Sequence, residues 1–119
     1  MKFKMNDRNW TIEEKEQQEI KDIMVEHGDK AESGRYFGIT YMDDNSIYLD
    51  KDICQEQKNR TLKHELMHCY IACYISNDIE SYDEEMLCNI SANSHDIIHK
   101  IVEDYFKEGN KWFNIQRAI

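Results

Sequence analysis

Between residues 57 and 76 the apolar side chains Leu62, Leu66, Met67, Cys69, Tyr70, Ile71, Cys73 and Tyr74 cover much of the circumference of a helix. No glycine or proline interrupts them. A helix that is apolar nearly all round has to be enclosed. It also carries Lys58, Arg60 and Lys63, and no run in the chain approaches the roughly 20 apolar residues that span a bilayer. It is therefore expected at the centre of a protein core, with the rest of the chain packed round it. The 119 residues suffice for one modest core but not for two, so a single domain over 1–119 is expected.

The remaining elements follow from period and punctuation. Residues 11–27, "TIEEKEQQEIKDIMVEH", predict a helix. Thr11 and Glu14 have capping-box spacing, Ile12, Ile20, Ile23 and Met24 form a narrow stripe, and Gly28 stops it. In 34–50, Tyr36, Phe37, Ile39 and Tyr41 precede Asp-Asp-Asn-Ser, and Ile47, Tyr48 and Leu49 follow, which predicts a β-hairpin. A second long helix is predicted over 83–107, with Met86, Leu87, Ile90, Ile97, Ile98, Ile101, Val102 and Tyr105 on its inner face. Gly109 should end it, and Trp112, Phe113 and Ile115 should pack back on the core. The expected class is α+β: a small hairpin or sheet, and a central helix crossed by a second long one.

The formal net charge of −9 argues against a nucleic-acid partner. The first twenty residues lack the apolar stretch of a signal peptide, so a cytoplasmic location and no membrane association are expected. Cys54, Cys69, Cys73 and Cys88 form no CxxC pair, and in a reducing compartment they read as small buried apolar residues.

The central helix contains His64-Glu65-Leu66-Met67-His68. Positions i and i+4 share one helix face, so both imidazoles could hold one Zn²⁺. Glu65 lies about 100° further round, where it is not expected to ligate the same ion but could reach water on it and take its proton. With five histidines and thirteen glutamates, such a motif would arise by chance in roughly one chain of this composition in fifty. Two histidines and a glutamate buried without a task would also cost several kcal/mol, roughly, in desolvation. Catalytic zinc takes three protein ligands. Asp83, Glu84 and Glu85 open the second long helix, where acidic residues are also favoured by the helix dipole. Glu85 shares a face with Asn89, which could steady a ligand histidine, so Glu85 is preferred as third ligand and Glu84 held in reserve.

"TLKHELMHCYI" followed by "EEMLCN" resembles the gluzincin branch of the zincin metallopeptidases, most closely the small intracellular ImmA/IrrE-like group often associated with phage or mobile elements. The likeness extends to Ile47-Tyr48-Leu49-Asp50 before the motif helix and covers roughly residues 36–92. Met67 stands where family members often carry glycine. The resemblance implies a minimal zincin-like domain and a zinc-dependent peptidase acting on a protein or peptide substrate, of the kind of a repressor or regulator. Either Tyr36–Tyr41 or Ile47–Leu49 would bind extended peptide by strand addition. His95, His99, Tyr82 and Tyr36 are candidate donors to a developing oxyanion. His95 and His99 also have the spacing of a second metal pair, and His27 reads as a helix C-terminal residue favoured by the dipole. The rival expectations are a zinc-binding interaction module with little or no peptidase activity, and a metal-free, all-helical partner-binding protein.

Overall fold

Lys2, Phe3, Lys4 and Met5 alternate charged and apolar, the period of a strand with one buried face. Arg8–Lys15 answers them as a second strand. The two-residue turn between, Asn6 and Asp7, has both φ values positive at 49° and 63°, the left-handed conformation that suits a hairpin's twist. The structure, a computed structural model, describes residues 1–75 and 83–117, with side chains described as far as Glu108. In order, its elements are β1 (Lys2–Met5), β2 (Arg8–Lys15), α1 (Gln17–Glu26), β3 (Gly38–Tyr41), β4 (Ser46–Asp50), α2 (Gln55–Tyr74) and α3 (Glu84–Arg117). The strands form one mixed sheet, β1-β2-β4-β3, so the class is α+β.

The expected helix over 11–27 is corrected at its first third. Residues 11–15 belong to β2, and the helix starts only at Gln17. Trp10 and Ile12 alternate with polar neighbours, and Ile12 pairs in parallel register with Ile47. All three side chains are buried. Long-range pairing thus overrides a local capping signal, and Thr11 and Glu14 form no cap. The hairpin is found as β3 and β4, paired from Gly38 opposite Leu49 to Tyr41 opposite Ser46.

Pleat parity sorts the faces. Trp10, Ile12, Ile47 and Leu49 share a face and join Leu62, Leu66, Cys69, Ile90, Ile98, Ile101 and Val102 in the main core. So α2 lies against the sheet and α3 packs on α2, as expected of the central helix. Gly109 does not end α3, which runs on to Arg117. The packing expected of Trp112, Phe113 and Ile115 lies outside the described residues. Cys69 is buried, and burial pushes its thiol pKa up to about 12. Cys54 and Cys88 are exposed rather than buried, a correction to the uniform reading of the cysteines. Among the described residues no helix is long and apolar enough to cross a membrane.

On the opposite face Asp50 is fully buried. Its carboxylate accepts from Arg35 Nε at 2.6 Å, Gln17 Nε2 at 3.0 Å and the Asp52 N–H at 2.8 Å. Gln17 also grips the Tyr36 backbone in both directions, at 2.9 and 2.7 Å. The network ties the segment entering β3 to the sheet. Burial by itself raises the Asp50 pKa, but the Arg35 and backbone donors outweigh it and hold the carboxyl below its ordinary value. A carboxylate lowered on folding stabilises the fold above its unfolded pKa, about 3.9. That stability is lost as pH falls through the lower folded value. Asp50→Ala is expected to cost about 2 kcal/mol in urea unfolding at pH 7, with the gap narrowing at pH 3. A gap unchanged by acid would contradict a charge-based role.

Candidate metal centre

The motif occupies the middle of α2, and its i, i+4 spacing places His64 and His68 side by side. Their ring centroids are 5.0 Å apart with planes at 78°. One ligand atom from each of His64, Glu65 and His68 lies within 4.8 Å of the others. The two imidazoles are exposed, whereas Glu65 is only 6% exposed. This division follows from the helix: 100° of rotation carries Glu65 from the open face to the flank under the sheet edge.

There Thr40 of β3 donates its hydroxyl to Glu65 Oε2 at 3.1 Å. The contact requires β3 to approach α2 closely, and Gly38 permits that. A Cβ at position 38 would lie 2.6 Å from Thr61 Cγ2 and 3.3 Å from Glu65 Cγ. Thr61 is a short, buried, branched side chain that cannot swing aside. Gly38→Ala is therefore expected to lift β3 from α2 and cost about 1–3 kcal/mol of stability, read as a lowered urea midpoint. A wild-type midpoint would show that the strand has slack. Neither Gly38 nor Thr40 was singled out from sequence, although a lone glycine inside a strand pattern is a signal of close backbone approach.

β3 is an edge strand, so among the described residues one side of Gly38–Tyr41 has no strand partner, while β4 is paired on both sides. Of the two segments considered for peptide binding, Tyr36–Tyr41 keeps a free edge over Gly38–Tyr41, and Ile47–Leu49 does not.

Glu85, the expected third ligand, is not brought into the group. It is exposed in the first turn of α3 and lines a cleft of about 450 Å³ with Tyr70, Tyr74 and Asn89. The expected shared face of Glu85 and Asn89 is present, but it meets another side of α2. Tyr70 lies two residues beyond His68, about 200° round the helix. Glu84, the reserve, is exposed in the same turn and also outside the group. His95 and His99 stack at 5.8 Å on the exposed face of α3, and His99 pairs with Glu103 at 3.2 Å; neither joins a metal-holding group among the described residues. The Tyr36 hydroxyl accepts from the Glu32 N–H at 3.0 Å, away from the histidines in the segment before β3. Tyr82 lies outside the described residues.

Two imidazoles and a neighbouring carboxylate suit a divalent transition metal such as zinc in ligand type. Among the described residues His64 and His68 are together, and neither Glu85 nor Glu84 joins them. No protein-family model, curated protein or solved structure matches the chain.

Proposed function

We propose that the chain is a cytoplasmic zinc-dependent metallopeptidase that hydrolyses peptide bonds of a protein substrate. The observation that carries this reading is the group of His64, Glu65 and His68, whose glutamate is touched by Thr40 of the edge strand β3. His64 and His68 hold the ion, and Glu85, which stands on the Tyr70 side of α2, would have to move to join them as third ligand. Support for Glu85 is its spacing to Asn89 and the resemblance of "EEMLCN" to the gluzincin third-ligand segment. When bound, zinc supplies a Lewis acid that acidifies water and polarises a carbonyl.

The chain's own groups do the rest. An extended peptide adds to β3 and runs beside Glu65, because Thr40 on that strand touches the carboxylate. Glu65 is the general base: Thr40 occupies Oε2, and the other carboxylate oxygen takes the proton from attacking water. The same proton then goes to the departing amine as the C–N bond breaks. A repressor or regulator is the substrate class the resemblance suggests.

Metal analysis of protein purified without chelator, paired with digestion of an unfolded protein substrate, tests the reading. The expectation is about one zinc bound at this site and cleavage that stops on chelation. Zinc-loaded protein that cleaves nothing would overturn it. The place of Glu85 on the Tyr70 side of α2 favours a second reading, a zinc-binding interaction module of little or no activity. In that case chelation would melt the fold without any hydrolysis to lose.

A further inference from the structure

We propose that His27, Asp43 and Asp44 form a second metal site, for one divalent first-row transition-metal cation, away from α2. His27 caps the C-terminus of α1, and the two aspartates sit in the turn between β3 and β4. One ligand atom from each of the three lies within 4.8 Å of the others.

The imidazole is fixed in the orientation a metal needs. Its Nδ1 lies 2.9 Å from the Ile23 carbonyl. A carbonyl can only accept, so Nδ1 carries a proton and Nε2 is the nitrogen presented to the aspartates, free to take a ligand once its own proton is displaced. The ring stacks on Tyr41 with centroids 3.7 Å apart and planes at 15°. Tyr41 is anchored in turn by donating its hydroxyl to Asp29 Oδ2 at 2.6 Å. The ring can therefore neither flip nor swing freely.

The carboxylates are placed on the same point. Nε2 is 3.2 Å from Asp44 Oδ2 and 3.6 Å from Asp43 Oδ2. Asp43 Oδ1 accepts from the Asp44 N–H at 3.1 Å, which leaves Oδ2 as the oxygen turned toward His27. The turn is held from outside by Arg8, whose Nη2 donates to the Met42 carbonyl at 3.2 Å and to Asn45 Oδ1 at 2.5 Å. The Ile23 carbonyl first, then Asp44 and Asp43, raise the His27 pKa above its ordinary value, so Nε2 holds a proton between the carboxylates more readily than a free imidazole does. A metal cation at the same point would displace that proton and take its place between the carboxylates, next to the negative end of a helix. One nitrogen with two carboxylate oxygens suits Zn²⁺, Co²⁺ or Mn²⁺ better than Ca²⁺ or Mg²⁺, which take oxygen ligands. Bound there, the ion would clip α1 to the β3–β4 turn.

Zinc titration with bound metal counted after equilibrium dialysis tests the site. Asp43 and Asp44 are exposed, so Asp43→Asn/Asp44→Asn leaves the core untouched. Wild type is expected to bind two zinc ions per chain and this variant one. His64→Ala/His68→Ala is expected to retain one, and adding His27→Gln to remove it. If the α2 centre fails to bind, wild type binds one ion and Asp43→Asn/Asp44→Asn none, which still supports this site. Equal zinc content in wild type and Asp43→Asn/Asp44→Asn overturns it: the histidine and aspartates then form an ordinary ion pair.

Discussion

Glu65→Gln is expected to keep its zinc and lose about a thousandfold in kcat for peptide hydrolysis. The substitution is nearly isosteric. The amide oxygen of glutamine can still accept the Thr40 hydroxyl that now reaches Glu65 Oε2 at 3.1 Å, so the contact between β3 and α2 survives. Neither His64 nor His68 is altered. What disappears is the ability to take a proton from water and return it to the leaving amine. Zinc content by metal analysis and kcat on a cleavable peptide separate the two outcomes. A variant that binds zinc and cleaves at the wild-type rate would remove Glu65 from the mechanism. One that loses zinc would make Glu65 a ligand, which its place within 4.8 Å of both histidines allows. Glu65→Asp shortens the reach by one methylene and is expected to fall between wild type and Glu65→Gln.

The parts of the fold and site that could be read from sequence are those in which neighbours along the chain decide the outcome. The i, i+4 relation of His64 and His68 belongs to any helix, and the nearly all-round apolar helix had to be central. Asp-Asn-Ser between apolar runs marked the β3–β4 turn. The misread start of α1 has one cause, a local signal overruled by a distant partner. Thr11 and Glu14 look like a cap until Ile12 finds Ile47 thirty-five residues away in the parallel pair. The alternation of Phe3 and Met5, and of Trp10 and Ile12, was the competing period-two signal. Gly109 alone costs a helix only about 1 kcal/mol, too little to stop α3. Glu85 is the instructive case. Spacing along α3 correctly placed it beside Asn89, but spacing carries no information on which side of α2 that face will meet. Thr40 and Gly38 went unnoticed because their importance arises only from the approach of β3 to Glu65.

The ligand series carries the second large effect. His64→Ala and His68→Ala are each expected to lower zinc affinity by well over about a hundredfold and to abolish hydrolysis. Their stability readout is as informative as their zinc content. Both imidazoles are exposed, while Leu62, Leu66 and Cys69 on the inner faces of the same helix are fully buried. The core beneath the histidines is thus assembled by apolar packing and needs no ion to close it. Each variant is expected to unfold within a few degrees of the zinc-free wild type, as a catalytic site on a self-supporting scaffold would. A collapse of the melting temperature on zinc loss would instead assign the ion to holding the fold, the interaction-module reading. Glu85→Ala completes the series. If Glu85 is the third ligand, its removal costs zinc affinity on the scale of either histidine and Glu84→Ala does not. If Glu85→Ala binds zinc as wild type does, the carboxylate on the Tyr70 side of α2 is no ligand. The third partner of the two histidines is then Glu84, Glu65 or another group, which the zinc content of Glu84→Ala and Glu65→Gln distinguishes.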